Sequence, residues 1–391
     1  MNIIKKSEEK TTNLYKKSKY DKYLLLIQFL FLLLIILSVF FISFVPPVSR
    51  DALVHHLAVP KIYLQHGKIV ELPCMSWSYY PMNLDMLYMI ALYAGSDIIP
   101  KFIHFTFALL TSWLIFSHLK KREIPTNLAL AGSLLFITIP VIIKLSITAY
   151  VDLGLIFFST ASLISLLNWA DNGFKIKHII ISGISCGLAM GTKYNGLIIF
   201  MLMVLFIPWI YSKKINFFKN DLYKKDQKPA FHYLAPINAM VIFSLAALIL
   251  FSPWMIRNII WKGNPLYPLY QNVFPSKNDN VCPVEKAVSD MEENKPFKFG
   301  TLLYRKMLYN ESIVDIMMLP ARIFFQGEDD NPALFDGRLT PLLFFLPFFA
   351  FFKTGTKTDR YQYEKYFFFF LPYLFCCLCY LPLYSAFVIL Q

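Results

Sequence analysis

Charged residues are scarce in this chain: they make up 16% of it, whereas hydrophobic residues make up 57%. The mean hydropathy is +0.50. Several apolar runs are long enough to cross the ~30 Å hydrocarbon core of a bilayer. These features exclude an ordinary soluble domain. The sequence instead predicts an all-α polytopic membrane protein.

Cysteine is also scarce, and the six cysteines are scattered without the CxxC pairs of a zinc site. We therefore expect neither a disulfide framework nor a structural zinc site. The chain also lacks a P-loop, a GxGxxG turn, an HExxH motif and a Ser/His/Asp set, so soluble nucleotide chemistry has no support. No cofactor is predicted, and a divalent metal has no support in the sequence.

Long apolar runs predict about nine membrane spans. The first is too long for the apolar region of a signal peptide and lacks a small-residue cleavage site, so it is expected to remain uncleaved. The shorter run at 83–94 is flanked by tyrosines, which favours an interfacial helix. The predicted spans are residues 23–45, 98–118, 126–146, 150–170, 178–192, 195–211, 233–253, 339–352 and 366–388.

The basic residues predict which loops face the cytoplasm. If residues 83–94 do not span the membrane, five charged segments fall on one side, and together they carry the whole formal charge of +13. This is the positive-inside pattern, so the charge gives no reason to expect a nucleic-acid partner. The inner segments are the N-terminal tail, 120–123, 171–177, 212–232 and 353–365.

This orientation predicts a multi-pass plasma-membrane protein with a cytoplasmic N-terminus. We divide the chain into a cytoplasmic basic tail, a transmembrane catalytic module with a first outer loop at 46–97, a second large outer loop, and C-terminal transmembrane helices. In order, these parts are residues 1–22, 23–253, 254–338 and 339–391. We expect the active site on the outer face.

The first outer loop begins with three candidate residues, ahead of a fourth, Tyr80. Asp51 follows the first span closely, and a carboxylate shielded at the membrane boundary can act as a general base toward a hydroxyl. A helix N-cap is the alternative role for Asp51. His55 lies one helical turn later on the same face, whereas His56 is expected to point elsewhere. The two histidines are candidates for binding an acceptor or a phosphate, with plain hydrogen bonding as the alternative, and metal ligation lacks a third ligand.

Further candidates lie at the outer ends of other predicted spans. Asp152 in SITAYVDLGLIFF is costly in a membrane unless it is paired or functional, with a capping role as the alternative. Lys193 in GLAMGTKYNG and Arg257, followed by Asn258, suit a lipid phosphate, or else face the headgroups as anchors. Tyr80 is either a belt residue or a ring that stacks on a sugar. All these groups are predicted at the boundary where a lipid-linked substrate presents its head.

This order of features resembles the membrane-embedded glycosyltransferases of the C superfamily, particularly the branch of protein mannosyltransferases and aminoarabinose transferases. The resemblance covers an acidic residue after span one, two juxtamembrane helices, an aspartate in AYVD, then GLAMGTKYNG and SPWMIRN. It implies Asp51 as the catalytic base and a sugar on polyprenyl phosphate as the donor. Many relatives have an acidic pair where this chain has Asp51 and Ala52, and an acidic residue before the proline where this chain has Tyr80.

The resemblance implies an inverting transfer of a sugar to an acceptor glycan, lipid or protein, in contact with membrane lipid. Asp51 would withdraw the proton of the acceptor while Lys193 and Arg257 stabilise the departing phosphate. Two alternatives remain. A transporter or flippase of a lipid-linked or small anionic solute predicts broken helices with charges at the midplane. A non-catalytic scaffold for glycan assembly is the other.

Overall fold

The computed structural model describes residues 19–223, 235–271, 273–274, 301–328, 331–335 and 337–349. All regular elements in these ranges are helical, which confirms the predicted all-α fold. The first helix, α1 (Lys19–Ser43), consists almost entirely of apolar residues. After it come elements shorter than a membrane span: a π-helical turn (Ala52–His56), α2 (Ala58–His66), a 3₁₀ turn (Ser76–Tyr79) and α3 (Asn83–Tyr93).

The next helices form the bundle, and their order follows the predicted spans. Five described helices are long and apolar enough to cross a membrane, or six spans if one bent pair counts as a span. The helices after α3 are α4 (Ile99–Lys121), α5 (Thr126–Ile137), α6 (Pro140–Ser146), α7 (Asp152–Asp171), α8 (Ile176–Met190), α9 (Gly196–Tyr223) and α10 (Ala235–Lys262).

Two of the predicted spans are not single helices of full membrane-spanning length. The span predicted at 126–146 consists of two helices, α5 and α6, and the chain bends by 67° between them. The span predicted at 178–192 is the 15-residue helix α8, shorter than the ~20 residues that usually cross a bilayer. The span predicted at 366–388 lies outside the described residues, so the full count of nine stays a prediction.

The last described segments are short helices that follow α10 in the chain. They are α11 (Thr301–Tyr309), α12 (Ile313–Met317), α13 (Leu319–Arg322), a 3₁₀ turn (Pro332–Leu334) and α14 (Pro341–Phe349). Arg305 and Arg322 both contact the carboxylate of Glu311, at 2.7 and 3.1 Å. These ion pairs hold the short helices together.

Close packing of α8 against α10 depends on two glycines one helical turn apart. A Cβ atom on Gly183 would lie 2.6 Å from the carbonyl oxygen of Phe243, and one on Gly187 would lie 2.4 Å from that of Ala247. Both distances are shorter than atoms tolerate. Small residues at this spacing let helix backbones approach in membranes, and here they bring α10 directly onto α8.

One asparagine joins three elements at the entrance to the bundle. Asn83, the first residue of α3, receives the indole N–H of Trp254 from α10 at 2.8 Å. Its side-chain amide donates to the Leu188 carbonyl at 3.3 Å, and its backbone N–H donates to the Gly191 carbonyl at 2.8 Å. The position of α3 is therefore fixed by both α8 and α10.

The opposite end of the bundle carries an ion-pair cluster. The carboxylate of Asp171, at the end of α7, lies 2.7 Å from Arg122 and 2.8 Å from Lys214. These residues come from three of the segments that the charge pattern places in the cytoplasm. Their contact shows that the three segments share one end of the bundle.

One cysteine prediction needs correction. Cys74, in the first outer loop, forms a disulfide, although the scattered cysteines predicted no disulfide framework. Spacing along the sequence reveals local pairs only, so it gave no sign of this bond.

Candidate active site

Two predicted site residues form an ion pair at the start of α7. Lys193 Nζ lies 2.8 Å from Asp152 Oδ1, and their side chains are 29% and 27% exposed, so a ligand can reach them. Lys193 lies in the turn between α8 and α9, while Asp152 is the first residue of α7. Ammonium has three N–H donors, so the bond to Asp152 leaves capacity for a ligand.

Asp51 belongs to the same electrostatic neighbourhood. Burial lowers the pKa of Lys193, but the carboxylates of Asp152 and Asp51 together raise it further, so its pKa lies above the ordinary value. Asp51 stands at the N-terminus of the π-helical turn, yet its exposed side chain makes no capping hydrogen bond. The capping role that competed with catalysis therefore receives no support.

The adjacent histidines occupy the wall beside this ion pair. Their ring centroids are 4.4 Å apart, and both belong to the π-helical turn. Burial and the neighbouring His56 lower the pKa of His55 to about 3. His55 is therefore neutral at physiological pH, which makes it better suited to a hydroxyl than to a phosphate.

His56 has a partner that the sequence interpretation missed. Its Nδ1 lies 2.7 Å from Asp85 Oδ1, a fully buried carboxylate in α3. Although the sequence predicted that His56 does not share the helix face of Asp51, His56 interacts electrostatically with Asp152. The available signal was the single charged residue in the apolar run NLDMLYMIALY, which we interpreted only as an interfacial helix.

His104, a residue that the sequence interpretation missed, holds the start of α7 in place. His104, buried in α4, accepts a hydrogen bond from the backbone N–H of Leu153 at 2.9 Å. Its Nδ1 lies 3.0 Å from the carbonyl oxygens of Leu145 and Thr148. The first turn of a helix has N–H groups without an internal partner, and His104 satisfies one of them beside Asp152.

Arg257 and Asn258 bind the protein's own backbone. They lie within α10, which continues beyond its predicted end at residue 253 to Lys262. The Arg257 guanidinium packs on Trp254 and Trp261, with ring centroids 4.7 and 5.1 Å away. It donates to the Tyr80 carbonyl at 3.1 Å, and Asn258 donates to the carbonyl of Tyr79 at 2.9 Å.

Aromatic rings connect the loop held by Arg257 and Asn258 to the histidines. Tyr80 packs against Tyr194 at 5.1 Å and against Trp77 at 5.3 Å, and Trp77 lies 6.2 Å from His55. The hydrogen bonds that Arg257 and Asn258 donate to the carbonyls of Tyr80 and Tyr79 therefore fix the loop that carries the rings. The structure gathers Asp51, the histidines and the Asp152–Lys193 pair into one cluster, with Arg257 and Asn258 behind it.

The described residues contain no group of three His, Cys, Asp or Glu side chains suited to a metal. The cluster combines the Lys193 cation with carboxylates, imidazoles and aromatic rings. This combination can bind a phosphate, accept a proton and stack against a sugar.

Comparison with known proteins gives one match. Residues 76–256 match the family described as dolichyl-phosphate-mannose-protein mannosyltransferase, which is part of the C superfamily. The matched region includes Tyr80, Asp152 and Lys193, whereas Asp51 precedes it and Arg257 follows directly after it. Searches of curated proteins and of solved structures found no match. The resemblance seen in the sequence is confirmed: residues 76–256 of this polytopic membrane protein match the model of a mannosyltransferase family of the C superfamily of glycosyltransferases.

Proposed function

We propose that the protein transfers a sugar from a polyprenyl-phosphate donor to a hydroxyl acceptor on the outer face of the plasma membrane, with inversion at the anomeric carbon. The observation that carries this proposal is the direct contact of Lys193 with Asp152, together with the electrostatic interaction of Lys193 with Asp51. It provides a cation for the phosphate next to a candidate base. The family description names a mannosyl phospholipid, so polyprenyl phosphate mannose is the first donor to test.

The proposed reaction has one displacement step. The acceptor oxygen attacks the anomeric carbon, Asp51 takes the hydroxyl proton, and the bond to the phosphate oxygen breaks with its electron pair leaving on the phosphate. Lys193 stabilises that developing charge, and Asp152 holds the lysine in position. We assign Arg257 and Asn258 to support of the loop that carries Tyr80, because their donors engage backbone carbonyls.

Two features support an outer-face site. Cys74 lies in the same loop as Asp51 and forms a disulfide, a bond that persists mainly in oxidising compartments. The ion-pair cluster of Arg122, Asp171 and Lys214 gathers three basic segments at another end of the bundle, where the positive-inside rule favours the cytoplasm.

The base assignment is tested by Asp51→Asn. In proteoliposomes with polyprenyl phosphate mannose and an acceptor, we expect the release of polyprenyl phosphate to fall by about 10²–10⁴-fold, the usual contribution of a general base. Asp97→Asn is the matched control, because Asp97 is an exposed carboxylate in the same outer loop. A wild-type rate in the Asp51→Asn protein would show that another group takes the proton.

The bent pair α5 and α6 favours a second candidate, because broken helices occur in transporters. A transporter or flippase would move the labelled donor across the same proteoliposome membrane when no acceptor is present. Transfer without such movement supports the enzyme, and movement without transfer supports the transporter. A scaffold for glycan assembly would show neither activity, and its site substitutions would change neither measurement.

A further inference from the structure

A histidine and an aspartate form a buried pair inside the candidate active site. His56 Nδ1 lies 2.7 Å from Asp85 Oδ1, and the two side chains are 10% and 1% exposed. The second carboxylate oxygen, Asp85 Oδ2, is buried without a hydrogen-bond partner in the described part of the chain. Burying such a carboxylate is costly, and its visible contribution is to orient His56.

Asp85 determines which nitrogen of His56 is available to a ligand. A carboxylate only accepts hydrogen bonds, so the proton of the neutral ring lies on Nδ1. This leaves the lone pair of Nε2 as the acceptor. A nitrogen lone pair accepts a hydrogen bond from a hydroxyl and has nothing to donate to a phosphate oxygen.

The location of His56 indicates which part of the substrate it meets. The carboxylate of Asp152 contacts Lys193 and interacts electrostatically with both His56 and His104. The proposed function places the donor phosphate at Lys193. Because the sugar of such a donor is bonded directly to the phosphate, its hydroxyl groups lie next to the phosphate, and the interaction of His56 with Asp152 places the imidazole near this end of the site.

We propose that His56 Nε2 accepts a hydrogen bond from a hydroxyl of the donor sugar, and that Asp85 is the positioning residue that holds the ring in the accepting tautomer. This inference rests on the proposed function. It makes the pair a determinant of sugar specificity, because a donor that lacks the bonded hydroxyl leaves a polar group of the site without a partner.

The test compares kcat/KM for polyprenyl phosphate mannose and its 2-, 3-, 4- and 6-deoxy analogues. With the wild type, we expect one analogue to react on the order of 10⁴–10⁵-fold more slowly than the parent donor. His56→Ala should lose rate on the parent donor and little on that analogue, so the discrimination disappears. His66→Gln is the control, because His66 is exposed on α2, and it should keep the discrimination. If His56→Ala keeps the discrimination at every position, the inference is wrong.

A second measurement reads the tautomer without turnover. In histidine-selective ¹⁵N spectra of the detergent-solubilised protein, His56 should carry its proton on Nδ1, and its Nε2 signal should shift when polyprenyl phosphate mannose is added. Asp85→Asn should weaken the Nδ1–H preference. Equal tautomer populations in the wild type and Asp85→Asn would remove the positioning role. A wild type that does not turn over the donor would contradict the proposed function, and these spectra would still decide the role of Asp85.

Discussion

At the residue scale, the contact between Lys193 and Asp152 has two interpretations: the lysine stabilises the phosphate of the donor, or it only neutralises the carboxylate. A double-mutant cycle distinguishes them. Lys193→Met removes the cation that we assign to the phosphate, and we expect kcat to fall by about 10²–10³-fold, as for the loss of one charge-stabilising donor. If the lysine served only to neutralise the carboxylate, Asp152→Asn combined with Lys193→Met would restore activity. We expect the double variant to remain inactive. The measurement is steady-state kinetics with the thermal stability of each variant.

Sequence alone predicted the residues whose type is unusual in their surroundings. Asp152 and Lys193 stand out because charges are expensive near a membrane, and the structure brings them together. Asp85 was missed, because its importance lies in contact with His56, 29 positions away in the chain. The roles of Arg257 and Asn258 were equally hidden, since a basic residue flanked by tryptophans does not reveal whether its donors meet a phosphate or a carbonyl group.

At the scale of elements, the packing of α8 on α10 depends on its two glycines. Gly187→Leu places a side chain where even a Cβ would lie 2.4 Å from the Ala247 carbonyl, so we expect the free energy of unfolding to fall by about 1–3 kcal/mol, as in overpacked cores. Thermal unfolding in detergent measures the change. Ile184→Leu on the outward side of α8 is the control, and equal stability of both variants would contradict the close-packing argument.

Apolar runs predicted the helices of the bundle well, because a membrane span needs length and hydrophobicity and little else. Those runs did not reveal the bend between α5 and α6 or the extension of α10 to Lys262. Both features depend on tertiary contacts. Arg257 gains backbone partners only if α10 continues past its predicted end, and that contact is invisible in a hydropathy profile.

At the scale of the whole molecule, we expect the ion-pair cluster of Arg122, Asp171 and Lys214 to face the cytoplasm and the candidate active site to face the outside. Lys68 lies in the outer loop and Lys177 in a basic inner segment, and both are exposed. In intact cells, an impermeant maleimide should label Lys68→Cys and leave Lys177→Cys unlabelled until detergent is added. The parent protein gives the background from its native cysteines. The reverse pattern would place the site in the cytoplasm and contradict the proposed function.

The junction at Asn83 constrains how this protein can diverge. Its side chain is shared by the Trp254 indole and the Leu188 carbonyl, and a Cβ on Gly191 would lie 2.2 Å from its amide nitrogen. A lineage that replaces Asn83 must therefore find new partners for α8 and α10 at once. We expect homologues to change residues 83, 191 and 254 together. An alignment in which the three vary independently would show that the contacts of Asn83 do not constrain these positions.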